Sequence, residues 1–256
     1  MSDIDRIPTD GNICLIDADS LIYYCMDKPS LEEAVYTIDE RIKKILKDCN
    51  TTLYSGFLTQ GRCFRYKVAD SYKSNRKGGR PKPIVFHALK EYLKQQYNCT
   101  IITALEADDL VCYYSFTDNR KTIVCSPDKD VLFQCVGMHY NYQRSEFQHT
   151  TPDEALKFLW KQVLMGDSTD NIPGIPGVGA KTSENWLKDR TKDYEAFALK
   201  KFVEKFGMVE GVMKFHETFK LVYMLKTDDD MKREAGRTPP PLEVSQLSEG
   251  QTEELW

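Results

Sequence analysis

The chain has no long apolar run. No stretch approaches the roughly 20 residues of a membrane-spanning helix. The start, MSDIDRIPTDGN, is polar and is followed only by the four-residue run ICLI, so the basic beginning and apolar centre of a secretory leader are missing. The expectation is a cytoplasmic protein with no membrane partner. Metal-binding spacings are missing as well. The four histidines, at 87, 139, 149 and 216, form no HExxH, and the eight cysteines, at 14, 25, 49, 63, 99, 112, 125 and 135, include no CxxC pair. Several cysteines sit inside apolar stretches such as NICLID and TIVCS, which points to buried free thiols in a reducing compartment and away from a sequence-local zinc site. Without a leader, the NCT at Asn98 is a chance match to a glycosylation acceptor.

What is present is an ordinary globular composition in 256 residues, enough for one large or two modest domains with a self-sufficient core. The net charge of −4 is carried by the end of the chain: from Thr227 onward there are eight acidic and three basic side chains, and the rest holds 32 basic against 31 acidic. Within that near-neutral body the charge is segregated, since Arg62 to Lys82 carries eight Lys/Arg and one acid, Asp70.

The segments NICLID (12–17), TTLYSGFL (51–58), CTIITAL (99–105), KTIVCS (121–126) and GMHYNY (137–142) are short, apolar and β-rich, and predict strands. Between them, 31–47 and 84–97 repeat apolar residues at helical spacing. Strands alternating with helices predict an α/β fold with a mostly parallel central sheet flanked by helices. After residue 150 the pattern turns helical: Thr151 is an N-cap with Pro152 behind it and Glu154 completing a capping box, and 194–206 and 208–225 predict further helices. The division expected is an α/β core over 1–150, a helical subdomain over 151–226 and a loose acidic tail over 227–256.

Acids follow the predicted strands repeatedly. Asp17 and Asp19 come after NICLI, then Glu106, Asp108 and Asp109 after CTIITAL, then Asp128 and Asp130 after KTIVCS. Ligand sites of parallel α/β sheets lie at these carboxyl ends. Any single acid there could be a helix cap, but three clusters facing one edge repel one another unless a cation offsets them. The donors are hard oxygens, which favours Mg²⁺, with Mn²⁺ able to substitute, over zinc. Mg²⁺ held by acids points in turn to phosphoryl chemistry with paired ions.

The stretch VLMGDSTDNIPGIPGVGAKT places Asp167 and Asp170 before a turn containing Gly174, Gly177 and Gly179 and ending in Lys181. A nucleotide-binding P-loop is disfavoured by register, because Ala180 separates Gly179 from Lys181, and by the helical segment that precedes it. A glycine turn between two helices, with backbone N–H groups approaching a phosphate chain, fits better; a tight connection with no ligand is the plain alternative.

LIDADSLIYY, YKSNRKGGRP, LEADDLV, SPDKDVLFQ and GDSTDNIPGIPGVGAKT together resemble, in order and spacing, the 5′-nuclease superfamily: phage 5′–3′ exonucleases, flap endonucleases and the 5′-nuclease domain of bacterial DNA polymerase I. The likeness spans about 12–190. It implies a PIN-like 5′-nuclease fold, a helix–three-turn–helix around the glycine turn, a cytoplasmic location in a bacterium or phage-infected host, and a monomer acting on DNA in replication or repair, at 5′ ends, 5′ flaps or nicked and branched duplexes. It also implies two Mg²⁺ ions, with Asp17, Glu106 and Asp108 around the first and Asp128, Asp130, Asp167 and Asp170 around the second. Catalysis would rest on Asp17, Asp128, Asp130 and Lys73, the last contacting the scissile phosphate. Arg76, Lys77 and Arg80 of a basic arch at about 62–97 would guide the single strand, and Gly177, Gly179 and Lys181 would grip duplex DNA. Relatives often hold K⁺ on backbone carbonyls of this turn, so a K⁺ ion at Gly174–Gly179 is expected too. Phe64, Tyr66 and Tyr72 suit base stacking, although core packing suits them better.

The pattern is broken in two places. Gln60 stands where many relatives carry a further metal-site aspartate, and Tyr24 where some carry a basic residue. An amide is a poorer Mg²⁺ ligand than a carboxylate, so the first metal site is expected to be weaker, or compensated by Asp19. A non-catalytic or weakly active junction-binding relative, and an RNA-directed nuclease of related fold, are the other functions this sequence leaves open.

Overall fold

The computed structural model describes residues 11–76, 84–118, 121–190 and 192–248. β1 (Ile13–Asp17) runs into α1 (Ala18–Cys25) and α2 (Leu31–Asp48), followed by β2 (Leu53–Cys63), the short α3 (Arg65–Val68) and α4 (Ile84–Gln96). β3 (Thr100–Ala104), α5 (Ala107–Thr117), β4 (Thr122–Cys125), α6 (Lys129–Gln134), β5 (Gly137–Asn141) and β6 (Glu146–Thr150) complete the α/β part. Then come α7 (Pro152–Met165), β7 (Gly166–Asp167), β8 (Ile172–Pro173), α8 (Ala180–Leu187), α9 (Tyr194–Phe206), α10 (Met208–Val222), α11 (Asp228–Asp230) and β9 (Ser245–Gln246).

The sheet order is β3-β2-β1-β4-β5-β6. β1 pairs in parallel with both β2 and β4, β4 with β5 in parallel, and β6 closes the edge antiparallel to β5. All five residues of β1 are buried, as expected for a central parallel strand covered on both faces, whose sequence is then an unbroken apolar run. From β1 the chain first builds outward through β2 and β3, then returns to place β4 on the other side. That reversal makes the carboxyl ends of β1 and β4 a topological switch point, where such sheets open a crevice.

The chain divides into two compact units: Met1–Gly61 with Pro81–Thr150 and Met224–Trp256, and Arg62–Arg80 with Thr151–Tyr223. The first has its core between the sheet and α1, α2 and α4, built on Ile16, Leu21, Ile38, Ile42, Leu89 and Leu93. The second has its own core, in which Trp160 stacks on Phe215 and Phe219 and Tyr72, Leu164, Leu187 and Phe202 are buried.

This partition corrects two sequence expectations. The basic segment does not belong wholly to the α/β core, because 62–80 falls in the second unit while α4 falls in the first. The segment after Thr227 is no loose tail up to residue 248. Thr227 and Asp230 form a reciprocal capping box on α11, Tyr114 donates to the Pro240 carbonyl, Ser55 donates to the Glu243 carbonyl, and β9 pairs antiparallel with Leu53 and Tyr54 of β2. Paired backbone and the buried Leu247 outweigh its polar composition.

Candidate metal centre and nucleic-acid contacts

In the first unit each acid cluster sits where a strand hands over to a helix, and local geometry explains the residue types. Asp17 ends β1 and caps α1, accepting from the Ser20 N–H at 3.3 Å. Glu106 precedes α5 in a capping box completed by Asp109, whose carboxylate accepts from the Glu106 N–H at 3.1 Å. Asp128 caps α6, accepting from the Asp130 N–H at 2.8 Å. Short polar acceptors favour these positions, so the same residues that start helices also line the switch-point edge.

Hydrogen bonds tie the clusters together. The Asp17 carboxylate accepts from Ser20 Oγ and from Ser126 Oγ at 2.9 Å, and Ser126 Oγ accepts from the Asp128 N–H at 3.0 Å. Tyr142 donates to the Asp17 carbonyl at 3.0 Å, and burial together with the charges of Asp17 and Asp108 pushes its hydroxyl well above its usual range. At the end of β2, Thr59 donates its N–H to Asp19 at 2.9 Å while its hydroxyl accepts from the Ala107 N–H at 2.8 Å. β1, β2, β4 and the start of α5 are thereby linked through Asp17, Asp19 and Asp128.

Asp17 is 1 % exposed. Burial pushes its carboxyl up to about 6, the charge of Asp19 adds to this, and hydrogen bonds from Ser20 and Ser126 oppose it. Among the described residues its carboxylate meets hydroxyls and a backbone N–H but no Lys or Arg. A buried carboxylate with a neighbouring like charge and no base is the environment a hard divalent cation relieves, so these residues fit such an ion. Among the described residues, the one group of three donor atoms all within 4.8 Å of one another is made of cysteines, not carboxylates.

Asp109 is a structural residue. It is 0 % exposed and accepts also from the Leu225 N–H at 3.4 Å. Gln60 is exposed, and the residue of β2 set among the acids is Thr59, one position earlier, where the strand end meets α5. Sequence reasoning also missed Arg41. Its guanidinium lies 4.4 Å from the ring centroid of Tyr24 and donates to the Tyr142 carbonyl at 2.6 Å, so α2 brings a cation to the helix position that lacks one. Its place on a helical face gave no signal before folding.

In the second unit, Asp167 is buried and accepts from the Thr169 N–H at 2.7 Å. Asp170 is the counter-ion of the basic segment: it pairs with Lys73 at 3.5 Å and with Arg76, and accepts from Tyr72 at 3.3 Å. The backbone reinforces this, with the Lys73 N–H donating to the Asp170 carbonyl at 2.8 Å and Asn75 donating to the carbonyls of Ser168 and Thr169. Lys73 has φ +52°, a left-handed conformation that costs a non-glycine residue about 1 kcal/mol or more and is held by these contacts. Tyr72 is buried in this core with Tyr66 edge-on against it at 5.2 Å, and Phe64 is buried as well, so packing claims the aromatics. Arg65 is buried too, donating to the carbonyls of Leu221 and Tyr223. Lys77 and Arg80 lie outside the described residues.

The glycines of the turn separate by role. A Cβ on Gly174 would meet backbone atoms of Met165 and Gly166 at 2.2 to 2.3 Å, because β7 and β8 pair antiparallel just before it; that glycine serves close packing. At Gly177, with φ +84°, and at Gly179, the N-cap of α8, a Cβ would meet nothing. Lys181, in the first turn of α8, is exposed. Open space, a helix N-terminus and an exposed lysine suit a phosphate group.

A family profile described as "5'-3' exonuclease, N-terminal resolvase-like domain" matches residues 12–158. The 5'-3' exonuclease of Mycoplasmopsis pulmonis is 26 % identical over 68 % of this chain and 65 % of that protein. That of Buchnera aphidicola is 34 % identical over 50 % of this chain and 49 % of that protein. DNA polymerase I of Mycobacterium leprae is 29 % identical over 61 % of this chain, which spans 19 % of the polymerase. The chain thus spans less than two thirds of these relatives. Among solved structures, a bacteriophage T5 flap endonuclease complexed with DNA and metal ions superposes with a TM-score of 0.63 at 18 % identity, over 88 % of this chain and 94 % of that one. The catalytic core of Rad2 with a DNA substrate gives 0.53 at 13 %, over 97 % and 92 %. The mostly parallel α/β fold is theirs.

Proposed function

This chain belongs to the family of the 5'-3' exonuclease N-terminal resolvase-like domain, and on that premise we propose that it is a metal-dependent 5′–3′ exonuclease and 5′-flap endonuclease. It hydrolyses DNA phosphodiester bonds at 5′ ends or single-strand/duplex junctions. The observation that carries this is Asp17: a buried carboxylate at the switch point, its pKa raised by burial, wired to the Asp128 strand end and, among the described residues, met by no base.

Asp17, Glu106 and Asp108, with Asp128 and Asp130, are the ligands proposed in the first unit; Asp167 and Asp170 are assigned to the second ion on the family pattern. Mg²⁺, or Mn²⁺ in its stead, would supply an activated water and neutralise charge on the phosphate. The protein's own residues do the rest. Ser20 and Ser126 hold the Asp17 carboxylate in one orientation. Thr59 fixes Asp19, which offers a carboxylate beside a strand end that lacks one. Lys73 and Arg76, which pair with Asp170, are the cations that stabilise charge on the phosphate and guide the strand. Gly177, Gly179 and Lys181 contact duplex backbone without sequence preference, and K⁺ on carbonyls of that turn fits the same role. The protein is proposed to work as a monomer in the cytoplasm. Incubating a 5′-flap, a nicked and a blunt duplex with Mg²⁺ or EDTA tests this, with cutting expected only with Mg²⁺ and lost in Asp128→Ala.

Thr59 in the place of a strand-end carboxylate favours one second possibility, a junction-binding relative with weak or no catalysis. Tight binding of the flap substrate with no cutting in either Mg²⁺ or Mn²⁺ selects it.

A further inference from the structure

Three cysteines far apart in sequence meet in the core of the first unit. Cys14 lies on β1, Cys125 ends β4, and Cys49 is the C-cap of α2. Their sulfurs all lie within 4.8 Å of one another, Cys49 and Cys125 at 4.0 Å, and each residue is 0 % exposed. We propose that this cluster is a three-sulfur site for a soft monovalent cation, Cu⁺, separate from the carboxylate centre.

Geometry and ligand type each bear on the ion. A metal–sulfur bond of about 2.3 Å in a trigonal plane puts sulfurs about 4.0 Å apart, the separation already held by Cys49 and Cys125. Thiolate donors select Cu⁺ and zinc among biological metals. Zinc completes a tetrahedron, and three sulfurs shut off from solvent give it no fourth ligand. Each sulfur binds the ion as a thiolate and passes its proton to the medium, so uptake is accompanied by proton release. Cys49 supplies the way in, since it ends a helix and is followed by the exposed Asn50, where opening of the last turn is the least costly local unfolding. β1 ends at Asp17 and β4 runs directly into Ser126, so an occupant braces the base of the switch point.

The test uses the full chain, reduced and metal-free, titrated without oxygen against Cu⁺ held by a colorimetric chelator, and separately against zinc. Native mass spectrometry counts the ions retained. One copper per chain is expected. Cys49→Ser and Cys14→Ala, each checked for folding by circular dichroism, should bring retention to background, while Cys63→Ser, in the other unit, should keep it. Failure of the parent to take copper from the chelator overturns the proposal, as does unchanged retention in a folded Cys49→Ser. Zinc held in preference to copper overturns the choice of ion. None of these readouts depends on nuclease activity.

Discussion

Replacing Asp17 by Asn removes a charge while keeping the shape and the helix cap, because Asn serves as an N-cap as well as Asp. The parent carboxyl is pushed up to about 6, chiefly by burial, against about 3.9 in an unfolded chain. A folded value above the unfolded one means that the native state holds its proton more tightly. The stability this group contributes is therefore complete below about pH 4 and is lost as pH rises through about 6. At about 1.4 kcal/mol per pH unit, the parent should lose about 2 kcal/mol relative to Asp17→Asn between about pH 4.5 and pH 7.5. For a chain of this length that is about 4–8 °C in Tm. Thermal unfolding of both proteins in EDTA over this range measures it, and subtracting one curve from the other cancels every other titrating group. Added Mg²⁺ or Mn²⁺ should then raise the Tm of the parent at neutral pH and leave the variant nearly unmoved. A flat difference across pH, or a variant less stable than the parent at neutral pH in EDTA, refutes the claim that this carboxylate is a charge the fold tolerates for the sake of a cation.

Asp170→Asn releases Lys73 and Arg76 from their counter-ion, so DNA should bind more tightly in EDTA and with a steeper salt dependence, while cleavage falls; weaker binding in a fluorescence anisotropy titration would count against it. Asp19→Asn should weaken Mn²⁺ binding followed by electron paramagnetic resonance, and affinity equal to the parent's removes Asp19 from the centre. Gly174→Ala forces a Cβ to about 2.2 Å from backbone and should lower Tm steeply or prevent folding, whereas Gly179→Ala should fold normally and lose affinity for duplex DNA; the reverse order of damage would exchange their roles. Burial holds the imidazole of His139 down at about 4, so its ring signals in NMR should show no titration between about pH 5.5 and 8, and a midpoint near 6.5 would place it in a wetter environment.

Features written into a few consecutive residues were settled by the sequence alone. The apolar run of β1, the capping box of Thr151 and Glu154, and the helix over 194–206 follow from local spacing and caps, and each stands where that spacing put it. The acids at strand ends were legible for the same reason, since an acid one step past an apolar run caps a helix and faces the sheet edge at once. Tertiary structure decided whatever needs a distant partner. β6 and β9 are polar segments that are strands only through their pairing with β5 and with the start of β2. Arg41 reaches Tyr24 from another helix, and Thr59 replaces Gln60 among the acids because strand register turns one side chain in and the next out. Asp170 meets Lys73 across almost a hundred positions, and Cys14, Cys49 and Cys125, unremarkable by spacing, share one point in the core. Periodicity and capping act over one or two turns of chain, whereas these encounters are fixed by pairing and packing between segments, which no local pattern encodes.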